Sequence, residues 1–425
     1  MTIQRRPNTG RTALLLSLLF LISVVTYIDR VNISVTARQM MPAFGLTDQE
    51  IGHVFSAFVL GYALCQIPGG RLGDRWGARM VLTAALIWWS VFTGLTALAA
   101  TSPLAGVLGI TGSLLFVRFM LGVGEAVALP NFNRAVADWV PSHRRGLGIG
   151  IAIGGIGVGA AITPPLAAWI MVNWGWQVVF YLCAALGLLV AIVWMYAAGS
   201  RHLDPASCPD EPSDSVSKAP ASRPPVPWKQ FSSHGTLRWL VLSYSCLGYV
   251  AYVYMSWFYL YLVNVRGFDV LRGGWFASAP FLAILVFCPF GGWITDRAAL
   301  RWGVKRGRLL VGMTGMLLAG AAIALGSFAV SPTLAIIALS LGAGWLYFTV
   351  GAYWTSATDL SKAHTGTLSG IMNTGANLGG AISPSLTPWI ADYWGWPAAL
   401  GAAALVAIAG GVMWLKVDPE QAFDQ

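Results

Sequence analysis

Residues 157–176, GVGAAITPPLAAWIMVNWGW, return as residues 377–396, NLGGAISPSLTPWIADYWGW, an ungapped match at a distance of 220 residues. Pro164 falls on Pro384, Trp169 on Trp389, and the two WGW triplets coincide. Each stretch belongs to an apolar run long enough to cross a bilayer, which takes roughly 20 residues. Such runs start near residues 13, 50, 80, 113, 146, 176, 238, 274, 308, 332, 365 and 396, so the repeated stretches lie in the fifth and the eleventh of twelve. Each is therefore the fifth span of a six-helix half, and both halves run through the membrane in the same direction. Parallel repeats of this kind place substrate sites between the halves, near the bilayer midplane. The fold class is all-α integral membrane, with twelve transmembrane helices in two pseudo-symmetric six-helix bundles.

Composition agrees with this reading. The chain has 425 residues, 56% of them hydrophobic and only 10% charged, where soluble domains carry about 25% charged residues. The polar segment rich in Pro, Ser and Asp cannot bury enough apolar surface to fold alone. It divides the chain into a first bundle at 1–199, a cytoplasmic linker at 200–235 and a second bundle at 236–425. The basic start, with Arg5, Arg6 and Arg11, reads as a cytoplasmic flank and not as a cleaved signal. Lys and Arg gather in alternate loops, among them Arg71, Arg144, Arg145, Lys305 and Arg306, which places both termini in the cytoplasm. This asymmetry accounts for the net charge of +9 without a nucleic-acid surface. Five cysteines, 65, 183, 208, 246 and 288, have no metal-ligand spacing and read as packing residues.

A second repeat pairs GGRLGDRWGAR, residues 69–79, with GGWITDR, residues 291–297. The first matches the G-x-L-x-D-R-x-G-x-R signature of the major facilitator superfamily, and the resemblance extends over essentially the whole chain through the twelve spans and central loop. In physical terms, Gly70 and Gly73 let helices approach closely, Asp74 can face the positive end of a neighbouring helix, and Arg75 and Arg79 can bind a cytoplasmic partner. Together with Asp296 and Arg297, these residues are expected to serve gating.

Sorting the seventeen carboxylates by place leaves only Asp29 and Glu125 within spans; the bases leave only Arg30 and Arg118. All four fall in the first half. Arg118 and Glu125 are seven residues apart, almost two turns, so they share a face about 10 Å apart along the axis. A charge at mid-bilayer costs at least about 2.5–3.5 kcal/mol on insertion scales. Two mutually neutralising ion pairs between the first and fourth spans are one explanation. The other is functional: arginine stays charged and offers a planar fork to a carboxylate, whereas a buried acid can change protonation. When Asp29 and Glu125 take up protons, the arginines lose their counter-ions and an external anion can replace them, so proton and anion binding become linked.

These residues carry a closer resemblance. The chain is similar to the anion:cation symporter family, which includes bacterial sugar-acid transporters of the D-galactonate type and the vesicular glutamate and sialic acid carriers. Tyr27, Asp29 and Arg30 in YIDR resemble its first-span motif, and Tyr62 in GYALCQIPGG its second-span tyrosine. Arg118 and Glu125 fall on RxxxGxGE, and Asn373 and Asn377 in GIMNTGANLGG on its eleventh-span asparagines. The resemblance implies that Arg30 clamps a substrate carboxylate, that Asp29 and Glu125 carry protons, and that Tyr27, Tyr62 and Asn377 bind polar substrate groups. Arg118 and Asn373 join that set. Tyr252, Trp354 and Thr355 are candidates for the far wall of the cavity, with lipid or helix packing as the alternative for aromatic side chains at such positions.

The expected function is thus a proton-coupled secondary active transporter that imports a small organic carboxylate, a sugar acid or similar, by alternating access. The alternative is an organic anion exchanger or facilitator without proton coupling. Substrate, protons and lipid bilayer are the expected partners, with no cofactor, no nucleic acid and a monomeric carrier in the bacterial inner membrane. An enzyme is not expected, since no P-loop, metal-ligand set or nucleophile triad appears. The GIGVGA stretch at 155–160 lacks a preceding strand and reads as helix packing.

Overall fold

The computed structural model describes residues 9–139, 145–199, 228–361 and 365–421, and among them every regular element is helical. The first half contains α1 (Thr9–Phe44), α2 (Asp48–Trp76), α3 (Ala78–Leu98), α4 (Pro103–Glu125), α5 (Ala128–Trp139), α6 (Arg145–Trp174) and α7 (Trp176–Gly199). After a short helix α8 (Trp228–Ser233) come α9 (Gly235–Leu260), α10 (Val270–Ala277), α11 (Ala279–Trp302), α12 (Val304–Phe328), α13 (Pro332–Phe348), α14 (Val350–Leu360), α15 (Thr365–Trp394) and α16 (Trp396–Met413). Residues 200–227, most of the expected linker, lie outside the described residues; α8, at its far end, buries Phe231.

By length and apolarity, eleven helical segments among the described residues can cross a bilayer, with α4–α5, α10–α11 and α13–α14 each forming one broken span. The twelfth, α15, is 30 residues long. Asn373, Asn377 and its many Ser, Thr and Gly residues make it less apolar than the rest, because it borders the centre of the molecule and not only lipid.

Both repeats have a structural meaning. In each WGW triplet the glycine adopts positive φ, 87° at Gly175 and 82° at Gly395, ending one helix and letting the next begin at the following tryptophan. Only glycine takes that conformation without a steric cost. The other repeat proves longer than its sequence match: an RWG triplet breaks the chain at Gly77, φ 79°, and again at Gly303, φ 84°. In the second half it follows the motif's Asp-Arg pair by one extra helical turn.

The repeat also sets the packing. Helix α1 lies on α6, and α9 lies on α15. Gly155 and Gly159 sit on the backbone carbonyls of Phe20 and Val24, while Gly375 and Gly379 sit against Val241 and on the carbonyl of Ser245. Any side chain at Gly159 or Gly379 would meet those carbonyls, so the absence of a Cβ is what lets each pair close.

The halves meet chiefly where α2 begins. Gly52 of α2 packs on Pro384 and Pro388 of α15, and Gly274 of α10 packs on Pro164 and Ala168 of α6. Pro164 with Pro384 and Ala168 with Pro388 are the paired positions of the sequence repeat, so the two contacts are related by the pseudo-two-fold axis. Hydrogen bonds reinforce them. Ser56 Oγ lies 2.7 Å from Ser385 Oγ, His53 Nδ1 lies 2.9 Å from the same oxygen, Gln49 Nε2 donates to Asp392 at 3.2 Å, and Ser278 Oγ donates to the Ala161 carbonyl at 2.6 Å.

Candidate functional site

Asp29 and Arg30 are neighbours on α1, and the helical repeat turns successive side chains by about 100°. They therefore diverge. Arg30 points to the centre, where its Nε donates to Glu125 Oε2 at 2.7 Å. Its guanidinium carbon lies 4.1 Å from the ring centroid of Tyr62, 5.0 Å from that of Tyr27 and 5.4 Å from that of Phe58. The Arg118 guanidinium lies 5.4 Å from the same Phe58 ring. Each such contact is worth about 0.5–2 kcal/mol, towards the upper end when desolvated. Glu125 Oε1 and the Nε and one terminal nitrogen of Arg118 have no hydrogen-bond partner, although both side chains are buried. Asp29 is fully buried on the other side of α1, within electrostatic reach of Arg118 and Glu125 and beside the Thr93 hydroxyl of α3.

A cavity opens beside Arg30 and Arg118. Its wall in the first half includes Ser34, Phe55 and Phe58; its wall in the second half is Tyr252, Met255 and Ser256 of α9. The Tyr252 hydroxyl donates to Asn377 Oδ1 at 3.4 Å, and Asn377 Nδ2 donates to the Asn373 carbonyl at 2.9 Å. Asn373 Nδ2 then donates to Gln66 Oε1 on α2 at 3.2 Å. A hydrogen-bonded chain thus runs from Tyr252, which shares the cavity wall with Arg30 and Arg118, through α15 to α2, and Tyr27, Arg30, Tyr62, Arg118, Glu125, Tyr252, Asn373 and Asn377 fall in one region.

Trp354 and Thr355 do not line the cavity. The Trp354 indole N–H donates to the Tyr244 hydroxyl at 3.0 Å, and the ring is 40% exposed. Thr355 Oγ1 donates to the Gly351 carbonyl of its own helix at 2.6 Å. The second-half wall of the cavity comes from α9, one turn apart at Tyr252 and Ser256, and not from α14. Of the tyrosines in α9, only Tyr252 faces the cavity; Tyr254 turns outward to donate to the Leu339 carbonyl at 2.7 Å.

The gating candidates lie at the other end of α2 and in its counterpart. The tight approach there is made by Gly69 against Val127 and by Gly73 against Asn131, whereas Gly70 makes only ordinary contact with Pro130. Asn131, fully buried, donates to the Gly69 carbonyl at 3.2 Å. Arg75 is exposed, and the side chain of Asp74 lies outside the described residues. Arg79 donates to the Met195 carbonyl at 3.3 Å, tying α3 to α7. In the second half Asp296 pairs with Arg308 at 3.4 Å, and Arg308 also reaches Asp359 at 3.2 Å, linking α11, α12 and α14. Arg297 lies over the Trp293 ring at 4.8 Å.

Phe58, Gln66, Met255, Ser256 and Arg308 escaped the sequence reading. Phe58, Tyr62 and Gln66 recur every four residues, so they form a stripe on one face of α2 that the spacing alone displays. Ser256 bears the same relation to Tyr252. Arg308, at a helix start among other basic residues, resembles ordinary loop charge.

The Major Facilitator Superfamily profile matches residues 19–384 and 355–423. A "Probable sulfoacetate transporter" of Cupriavidus necator is 32% identical over 405 residues, covering 90% of this chain and 88% of that protein. The D-galactonate transporter of Escherichia coli is 28% identical, covering 95% of each chain. Among solved structures, a bacterial homologue of the human lysosomal transporter Spinster superposes with a TM-score of 0.77 at 20% identity, over 95% of this chain and 96% of the other. The D-xylose-proton symporter superposes with a TM-score of 0.76 at 14% identity, over 96% and 98%.

Proposed function

Since the chain belongs to the Major Facilitator Superfamily and is a multi-pass membrane transporter rather than an enzyme, we propose that it carries a small organic carboxylate together with protons by alternating access. The observation that carries this reading is the Arg30–Glu125 pair at 2.7 Å, set at the wall of a cavity shared by both halves. A substrate carboxylate can take the place of Glu125 on the guanidinium, with Tyr62 and Tyr27 keeping the fork oriented.

Protonation supplies the coupling. While Glu125 is ionised it competes with substrate for Arg30; once protonated it no longer does. Asp29 has the same relation to Arg118, through electrostatic reach without a hydrogen bond. Anion affinity therefore rises as pH falls through the titration of these acids, and bound anion in turn favours proton uptake. The structure, joined at the end where α2 begins, is the state closed there; release of the Gly52–Pro384 and Gly274–Pro164 contacts opens the alternate path. We place both termini in the cytoplasm, on the Lys and Arg asymmetry of the loops, and the carrier as a monomer in a bacterial inner membrane. Sulfonated and sugar carboxylates of the kind named for its relatives are the first substrates to try.

A thermal-shift screen of purified protein tests the reading, because a ligand that binds only the folded state raises the melting temperature. The panel contains sulfoacetate, galactonate, glucarate and hexuronates, each beside its neutral amide or alcohol analogue. The expected result is stabilisation by at least one acid, larger at lower pH, and none by its neutral analogue. Equal stabilisation by acid and analogue refutes the arginine clamp.

A further inference from the structure

Towards the end of α11 remote from the closure, one face of the helix stays exposed among the described residues. Leu282, Val286, Phe290 and Trp293 recur every three or four residues, each half or more exposed, and Arg297 and Arg301 continue the same stripe. The opposite face is the packed one: Gly291 rests on the Phe348 carbonyl of α13, and Thr295 is fully buried. The stripe ends beside Trp302, the last residue of the span. There the Arg297 guanidinium lies 4.8 Å from the Trp293 ring centroid and that of Arg301 lies 5.5 Å from the Trp302 centroid. The acids at this end are engaged elsewhere, Asp296 with Arg308 at 3.4 Å and Asp418 with Lys305 at 2.6 Å, and among the described residues neither Arg297 nor Arg301 forms an ion pair. The first half has no equivalent. Arg71 stands where the repeat has Trp293, and Arg75 alone fills the place that the extra turn of α11 divides between Arg297 and Arg301.

We propose that this face binds an anionic phospholipid, with its phosphate between Arg297 and Arg301 and an acyl chain along Phe290, Val286 and Leu282. One helical turn sets the two arginines about 6 Å apart along the axis, so a single phosphate can accept from both guanidinium forks. The indoles brace those forks, and tryptophan is the residue that borders the polar layer of a bilayer. Charge then selects the lipid. A zwitterionic headgroup carries its own cation beside the phosphate, which two arginines repel; an anionic headgroup carries none. Arg297 is thereby a lipid ligand where its motif suggested gating. The inference needs only the membrane span, and neither the carboxylate clamp nor proton coupling.

The test is tryptophan quenching in the full chain, reconstituted in phosphatidylcholine vesicles with a minor fraction of brominated lipid. Brominated phosphatidylglycerol is expected to quench more than brominated phosphatidylcholine at the same mole fraction, and Trp293→Phe with Trp302→Phe removes the excess by removing the reporters. In Arg297→Gln with Arg301→Gln the association constant for phosphatidylglycerol is expected to fall about thirtyfold, to that of phosphatidylcholine, as for two arginines worth about 1 kcal/mol each. Glutamine is a good helix former, so that variant keeps α11 intact, and Arg297→Lys with Arg301→Lys retains most of the preference. An undiminished preference in the glutamine variant overturns the site, as does excess quenching that survives without Trp293 and Trp302. An equal loss in Arg71→Gln with Arg75→Gln, the corresponding place in α2, shows a diffuse attraction to the whole basic end and overturns it too. Loss of the excess on adding inorganic phosphate, with ionic strength held constant by chloride, assigns the arginines to a soluble anion and overturns the lipid.

Discussion

The two halves of the molecule share a skeleton and differ in chemistry. Contact for contact, Val24 in α1 corresponds to Ser245 in α9, since each supplies the carbonyl on which the repeat glycine, Gly159 or Gly379, rests. On that register Asp29 and Arg30 correspond to Val250 and Ala251, both buried and uncharged. Helix α4 carries Arg118 and Glu125, whereas its counterpart α13 carries no charge at all. What the halves keep in common is packing: the glycine-on-carbonyl pairs, the helix-breaking glycines and the two glycine–proline contacts. What they do not share is the polar chemistry around the cavity. The first half holds every charge of the site, and the second answers with hydroxyl and amide groups from Tyr252 and Asn377.

The severest test of this division removes the acids. The double variant Asp29→Asn with Glu125→Gln imitates permanent protonation, so proton-driven accumulation in vesicles is expected to vanish while exchange of labelled for unlabelled substrate persists. Accumulation at the parental rate under an imposed pH difference would return the four charges to a structural role. Next in size is Arg30→Lys. A point-charge ammonium cannot reproduce a two-pronged contact, and a loss of about a hundredfold in affinity by titration calorimetry is expected. Affinity within threefold removes Arg30 from the clamp.

The shared skeleton is probed by a matched pair. Gly52→Leu and Gly274→Leu each place a side chain against the backbone of the opposite half. Each is expected to slow uptake by about tenfold or more, to similar extents, with equilibrium binding changed far less. A large effect from one and none from the other would show that the closure is not two-fold. Least affected should be Trp354→Phe and Thr355→Val. The first loses one half-exposed hydrogen bond to Tyr244 and the second a bond to its own helix, so transport is expected to stay within about twofold of the parent. A larger loss would restore α14 to the cavity wall.

The fold was legible in the sequence because the repeat at 157–176 and 377–396 states both the symmetry and the relative direction of the halves. The four intramembrane charges were equally legible, since charges in apolar runs are few. Which acid meets which base was not. Asp29 and Arg30 are adjacent letters, and only the 100° turn between them sends one to the cavity and the other into the bundle. Tyr252 was named as a candidate for the far wall, but nothing in its spacing sets it apart from Tyr244, Tyr249 and Tyr254, because every one is an aromatic in a span and the facing surface depends on how α9 lies on α15. The place of Trp354 was hidden for the same reason: its indole turns to Tyr244, whose hydroxyl is within electrostatic reach of Tyr27, and not into the cavity wall formed by α9. The glycine that matters in the second motif is Gly69 as well as Gly73, a shift of one residue from Gly70 that amounts to a change of helix face.

The paired closures at Gly52–Pro384 and Gly274–Pro164 bear on gene architecture. An interface whose two contacts are exchanged by a two-fold axis is self-complementary, the arrangement by which identical subunits form closed dimers. Two copies of one half-length polypeptide would present the same glycine to the same proline twice over and could shut in the same way. Such a homodimer could not, however, place Arg30 on one side of the path and Tyr252 on the other, because every residue would appear on both, and two guanidinium groups would confront each other across the axis. Joining the halves in one reading frame preserves the self-complementary closure and frees each side of the central path to mutate alone.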